Sequence, residues 1–227
     1  MAQSTRQAIQ LNNTGAERLT AGDVQGALEA FRGALSLVPA RRPTGQGNSE
    51  GRPFTGAASL GIIFLESSQL PVHNDEEKPF VYEKPLVFSR VLPESQDGAA
   101  AFCGVVVFNM ALLFDFRSTS NGFCSSSTYK TKALQLYEAC IGLFSKTTPE
   151  VQNGLTSVMA AACNNKARIC FEHSAFKECY GELHRLQMLL SMADHSLNKS
   201  DFLVERDIQG MLLNLLLLAP PSVAQAA

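Results

Sequence analysis

The chain has 227 residues, of which 45% are hydrophobic and 18% charged, and its formal net charge is -2. This composition supplies enough apolar material for a packed core and excludes a chain that is disordered throughout. The near balance of 19 basic and 21 acidic residues gives no broad positive surface of the kind that binds nucleic acid or an anionic membrane.

The cysteine pattern and the N-terminal residues give an expectation for the cellular compartment of the protein. The six cysteines form no CxxC pair, and the N-terminal residues lack the basic and apolar blocks of a secretory signal. We expect reduced thiols and a cytoplasmic protein, with the nucleus as an alternative. The apolar stretch 99–114 is shorter than the roughly twenty residues of a membrane-spanning helix, so no membrane insertion is expected.

Residues 4–39 carry a helical pattern in two parts. One apolar stripe precedes a turn at Gly22 and Asp23, and a second stripe follows until Pro39 ends it. This pattern predicts a hairpin of two antiparallel helices. Small residues stand where the two helices must approach each other closely, and Phe31 fills the space beside them. The small residues are Gly15, Ala27 and Ala34.

The same residues resemble a tetratricopeptide repeat. The small residue of the first helix, the Gly-Asp turn, the Ala-x3-Phe-x2-Ala of the second helix and the final proline all match that family. The pattern returns at Asn109-Met110-Ala111 with Ala133-x3-Tyr137-x2-Cys140, and at Asn165-Lys166-Ala167 with Cys179-x3-Leu183-x2-Leu186.

The resemblance predicts a mostly α-helical, single domain over residues 1–227, built as an array of about three antiparallel helix hairpins. A terminal helix at 201–218 follows, and residues 219–227 form a frayed tail. A serine-rich loop is expected at 117–129, between the helices of the second hairpin.

An insertion at 40–96 separates the first two hairpins. Residues 40–58 are predicted to be loop, and the runs 60–66, 80–83 and 85–91 have β character. Four large side chains in the later runs share one strand parity, so we expect a small antiparallel sheet packed against the helices. These are Phe80, Tyr82, Leu86 and Phe88. Whether the insertion covers the groove of the array is left open.

A search for catalytic or cofactor chemistry gives weak candidates only. The cysteines and histidines at 163, 170, 173, 179 and 184 could approach one another on two helices, but they lack the short cysteine pair of most structural zinc sites. No phosphate-binding glycine loop and no activated cysteine is recognisable. We therefore expect no metal, no cofactor and no enzymatic activity.

The strongest site prediction is a row of asparagines. Asn13, Asn109 and Asn165 each precede the small residue of a first helix by two positions. The tetratricopeptide resemblance implies that first helices line a concave groove and that an asparagine there bonds the backbone of an extended peptide, which suits a side chain that both donates and accepts. The other residues assigned to this peptide-binding groove are Phe108, Leu112, Phe116, Arg168 and Phe171.

The sequence thus favours a non-catalytic adaptor or scaffold that binds a protein or peptide partner in the groove. An edge strand of the insertion could instead receive a partner strand. Two alternatives remain: a structural subunit that docks through its apolar C-terminal helix, and an enzyme with a site between the insertion and the helices. The partner and the oligomeric state are not predicted.

Overall fold

The structure, a computed structural model, describes residues 2–38, 60–65, 79–92, 95–120, 123–196 and 203–218. In chain order the elements are α1 (Ala2–Thr20), α2 (Val24–Ser36), β1 (Ile62–Phe64), β2 (Leu86–Phe88), α3 (Gln96–Ser120), α4 (Phe123–Phe144), α5 (Pro149–Asn153), α6 (Thr156–Glu172), α7 (Phe176–Ser196) and α8 (Glu205–Leu217).

The helices pair as the sequence predicts. Three hairpins, α1 with α2, α3 with α4, and α6 with α7, follow one another, and the terminal helix α8 packs against α6 and α7. Strands β1 and β2 form a two-stranded antiparallel sheet in which Ile63 lies opposite Val87. The predicted class, a mostly helical hairpin array with a small antiparallel β insertion, is confirmed. Residues 40–58 and 219–227 lie outside the described ranges.

The first hairpin turns sharply because its turn residues suit the geometry. Gly22 has a φ of 79°, in the left-handed region that favours glycine. Asp23 then begins α2, and its carboxylate accepts the Gly26 N–H at 2.9 Å, which caps the helix. Phe31 is fully buried between the two helices, beside Gly15 of α1.

A substitution at Gly15 tests how closely the two helices of this hairpin pack. A Cβ atom at this position would lie 2.5 Å from Cε1 of the Phe31 ring. We expect Gly15→Ala to lower the free energy of unfolding by about 1–3 kcal/mol, since the enclosed ring cannot move away. Gly142→Ala is the matched control: a Cβ there meets nothing within 4 Å, so its higher helix propensity should stabilise the chain by up to about 1 kcal/mol. Urea unfolding of both variants measures the difference, and equal effects would contradict the packing.

The predicted serine-rich loop at 117–129 is wrong. Helix α3 continues to Ser120 and α4 begins at Phe123, so most of that segment is helical. Hydroxyls near the junction donate to backbone carbonyls of their own helix: Ser118 bonds Asp115 at 2.6 Å and Thr119 bonds Phe116 at 2.8 Å. These bonds, with the packing of α3 on α4, offset the low helix propensity of serine and threonine.

Helix α3 forms the centre of the main core. Six of its large apolar side chains are at most 5% exposed; they are Phe102, Val105, Val106, Phe108, Leu112 and Leu113. Within the described residues, α3 is also the one helix whose length and composition would suffice to cross a membrane, but 67% of its apolar window is buried inside the protein. A core helix passes the same test, so the absence of a membrane partner stays a prediction.

Candidate peptide-binding groove

Four asparagines hold an extended stretch of the chain itself. Each uses its Oδ1 to accept the N–H, and its Nδ2 to donate to the carbonyl, of a single backbone residue, with all eight distances between 2.7 and 2.9 Å. We call these four the asparagine ladder: Asn13 on α1 pairs with Phe88, Asn109 on α3 with Leu86, Asn165 on α6 with Tyr82, and Asn214 on α8 with Phe80.

The segment 80–88, which we call the groove segment, therefore runs along the first helices of the array from α8 to α1. Backbone groups of alternate strand residues point in the same direction, so residues 80, 82, 86 and 88 can all face the ladder. The predicted common parity of these four residues agrees with this arrangement. The insertion occupies the groove, which answers the question that the sequence left open.

Further asparagines brace the ladder from the side. Asn12 donates to the Leu86 carbonyl at 3.0 Å and accepts from Asn109 at 3.0 Å. Asn164 accepts from Asn214 at 2.8 Å. Asn165 also donates to the Tyr137 hydroxyl at 3.0 Å. These bonds fix the orientations of the ladder amides. The neighbouring side chains therefore hold each amide in the position that binds a peptide backbone.

The opposite edge of the groove segment pairs with β1. The Leu65 N–H donates to the Pro85 carbonyl at 2.9 Å, and the Ser89 N–H donates to the Gly61 carbonyl at 2.7 Å. Strand β2 thus has β1 on one edge and asparagine side chains on the other. The sequence-based idea that this part of the insertion presents an open edge to a partner is wrong for β2, because both of its edges are already bonded.

Three side chains at ladder positions of the groove segment are buried as deeply as core residues. Tyr82 and Leu86 are fully buried and Phe88 is 3% exposed. The Phe88 ring stacks on Phe102 with centroids 5.3 Å apart. Phe80 lies against Gly210 of α8, where an added Cβ would come 2.3 Å from the phenyl ring. The segment is therefore recognised through its backbone and packed through its side chains.

The predicted apolar wall is present only in part. Phe108 is fully buried, and its ring centroid lies 6.2 Å from that of Tyr82. Leu112 is buried in the main core and Phe116 is half-buried further along α3. Phe171 is wrongly placed by the sequence: it lies at the last turn of α6, 37% exposed, and its ring contacts Phe176 of α7 at 5.9 Å.

Arg168 was also predicted to line the groove, and that role is wrong. Its side chain is 4% exposed and forms ion pairs with Asp115 of α3 and Glu172 of α6. Burial opposes the charge, but these carboxylates hold the pKa of Arg168 above its ordinary value. Arg168 joins the second and third hairpins and offers no cation to a ligand, because its guanidinium is already committed to carboxylates.

Sequence reasoning missed the fourth member of the ladder. Asn214 lies in the leucine-rich run 211–218, which was interpreted as a closing helix, yet a single amide in so apolar a helix was a usable signal. The doublets Asn12-Asn13 and Asn164-Asn165 were a second sequence signal for the site. Lys84 and Asp207 were missed as well: they form an ion pair of 2.8 Å between the groove segment and α8.

The cysteines give no sign of a reactive centre. Five described cysteines are free thiols. Burial raises the pKa of Cys140 and of Cys163, and it raises the pKa of Cys179 to about 11. A raised pKa keeps a thiol protonated at neutral pH and therefore a poor nucleophile. No group of three histidine, cysteine or acidic side chains suited to a metal ion occurs within the described ranges.

Tyr82 carries a buried hydroxyl without a hydrogen-bond partner. We expect Tyr82→Phe to raise the free energy of unfolding by about 1 kcal/mol, because it removes an unsatisfied polar group and leaves the ring in place. Burial, with Asp207 adding to it, raises the pKa of Tyr82 well above its ordinary value.

The same substitution has a pH dependence with a defined sign. Above about pH 10 an unfolded tyrosine loses its proton while Tyr82 keeps it, so the parent chain loses stability as the pH rises. The advantage of Tyr82→Phe should therefore grow between about pH 9 and pH 11. Urea unfolding at pH 7, 9 and 10.5 measures it; a destabilised variant, or an advantage that stays constant with pH, would contradict the environment described for the phenol.

Comparison with protein-family models, with curated proteins and with solved structures gave no match. The fold class is established by the helices and strands themselves, and the tetratricopeptide resemblance stays a prediction.

Proposed function

We propose that this chain is a non-catalytic protein-interaction module whose groove binds an extended peptide by its backbone. The observation that carries the proposal is the asparagine ladder, in which each amide pairs with both backbone groups of one residue. Such pairing does not depend on the side chains of the ligand, and main-chain hydrogen bonds supply affinity in other strand-binding sites. In the state described, the groove segment fills this site.

The test requires a protein whose own segment fits the ladder poorly. Leu86→Pro in the full chain removes the N–H that Asn109 accepts while leaving every ladder side chain unchanged. We call this the opened variant. A fluorescent synthetic peptide of residues 78–91 should bind the opened variant more tightly than it binds the parent chain, as measured by anisotropy.

Backbone methylation of that peptide distinguishes binding by the ladder from nonspecific binding. An N-methyl group on Leu86 of the peptide should weaken binding by about thirtyfold or more, because it removes the N–H that the ladder accepts. An N-methyl group on Arg90 is the matched control, since Arg90 is exposed and lies beyond Phe88, the last residue that the ladder binds. Equal loss from both peptides, or no binding by the unmodified peptide to a folded opened variant, would overturn the proposal.

A second candidate is a structural subunit that docks through α8. It is favoured by the exposure of four leucines on this helix, with Leu216 79% exposed, beside a cleft between α7 and α8. Each earlier ladder helix is covered by the next helix of its hairpin, and α8 has no such following helix in the described residues. The four leucines are Leu212, Leu213, Leu216 and Leu217.

Light scattering tests this candidate. A monodisperse monomer in the parent chain would count against it. An assembly that Leu212→Glu and Leu216→Glu together convert to monomer, with unchanged helical content, would support it. These leucines are exposed, whereas Asn214, the ladder residue of the same helix, is fully buried, so the two substitutions test docking separately from peptide binding.

A further inference from the structure

Lys84 lies between the two pairs of ladder-bound residues and forms an ion pair with helix α8. Its Nζ atom donates to Oδ2 of Asp207 at 2.8 Å. The Asp207 side chain is 5% exposed and that of Lys84 is 26% exposed. Within the described residues, Lys84 is the one cation at ion-pair distance from Asp207. A carboxylate so nearly enclosed is costly when its cation is removed.

The ladder by itself cannot distinguish one peptide from another. Each asparagine requires an N–H, which excludes proline at positions 80, 82, 86 and 88 and nothing else. The two prolines of this region, Pro79 and Pro85, stand at the other parity, where the backbone nitrogen faces away from the ladder. Sequence selection must therefore come from side chains, and the described contacts offer two kinds: apolar burial and the charge of Asp207.

We propose that Asp207 selects ligands of this groove, and that the ligand is an extended segment with a lysine or arginine two residues after the one bound by Asn165. Large apolar side chains occupy the ladder positions, as Tyr82, Leu86 and Phe88 do here. The groove segment is then a resident competitor of the same chemistry. This inference rests on the proposed function, because it names the peptides that the ladder accepts.

The resident segment also sets how tightly an outside ligand must bind. Residues 89–95 are the whole connection from the groove segment to α3, so the segment stays at a high effective concentration next to its site. An outside peptide competes against that tether, and only one that reproduces both the backbone and the charge contacts can replace it. For this reason the measurement uses the opened variant, in which the resident segment is weakened.

The experiment compares peptides of residues 78–91 on the opened variant by anisotropy. A peptide with Lys84→Glu should bind at least a hundredfold more weakly than the parent peptide, since it places two carboxylates together in an enclosed site. Replacement of Lys84 by norleucine should cost about tenfold. Arg90→Glu in the peptide is the matched control: it changes the net charge equally at an exposed position and should have little effect. Asp207→Lys in the opened variant should reverse the preference, so that the peptide with Lys84→Glu binds better.

The outcomes separate this inference from the proposed function. If no peptide binds the folded opened variant, the proposed function fails and the inference fails with it. If the parent peptide binds but Lys84→Glu has no effect, or if Arg90→Glu costs as much as Lys84→Glu, the groove binds peptides without selection by Asp207 and the inference alone is overturned.

A second measurement does not depend on the opened variant. In the intact chain, Lys84→Glu and Asp207→Lys are each expected to shift the urea midpoint downward, and the two together should recover most of the loss. A double variant that is no more stable than the sum of the single effects predicts would overturn the role of the pair. Recovery would support it even if Leu86→Pro did not fold.

Discussion

Replacing Asn109 by alanine is expected to lower the free energy of unfolding by about 3–5 kcal/mol, because a buried backbone N–H loses its acceptor and the side chain leaves a gap in the core. Asn109 is fully buried and bonds both backbone groups of Leu86 as well as Asn12. The Leu86 N–H cannot bond to solvent water instead, since Leu86 is itself fully buried. Urea unfolding gives the magnitude.

The matched control for this prediction is Asn153→Ala, at an exposed position at the end of α5, where the change should stay within about 0.5 kcal/mol. Hydrogen exchange locates the effect: in Asn109→Ala the amides of residues 82–88 should exchange faster, while those in the middle of α2 should be affected less. A loss no larger than that of Asn153→Ala would show that the ladder contributes little to holding the segment.

The buried ion pair between α3 and α6 should give an effect of similar size with a different signature. Arg168→Met alone is expected to cost about 3–5 kcal/mol, since it leaves the Asp115 carboxylate enclosed without its cation. Asp115 is 4% exposed and one of its oxygens already lacks a partner. Asp115→Leu alone should be costly for the reciprocal reason.

Both substitutions together should cost less than either one, because an apolar pair of similar volume needs no compensating charge. The four chains form a double-mutant cycle that urea unfolding can complete. Additive single effects would contradict direct coupling between the two side chains. A large coupling would show that Arg168 and Asp115 join the second and third hairpins directly.

Local sequence patterns predicted the three helix hairpins and three of the four ladder positions. The repeat of small residues, turns and apolar stripes fixed the phase of α1, α3 and α6, and the phase placed Asn13, Asn109 and Asn165 on one side of the array. Asn214 escaped this reasoning because α8 has no second helix after it and so lacks the repeat pattern. The many leucines of that segment indicated an apolar terminal helix, and the single asparagine among them was not considered.

Two errors share a physical cause, which is that tertiary contacts override local preference. The serine-rich segment becomes helix because α3 and α4 pack along their length, a gain that residue propensities do not include. Arg168 was assigned to the groove from its helical position beside Asn165. Its true partner, Asp115, is 53 residues away in sequence, and no local pattern reveals such a pairing.

The groove segment changes how this array is expected to fold. In a helical-repeat chain each hairpin contacts only its neighbours, so stability is nearly a sum of local contributions and folding can start in any hairpin. Here one extended segment bonds α1, α3, α6 and α8, through hydrogen bonds between residues that are 23 to 134 positions apart in sequence. Long loops must close before these bonds form, which slows folding. We expect the first and last hairpins to unfold in one cooperative transition, because both lose the strand at the same moment.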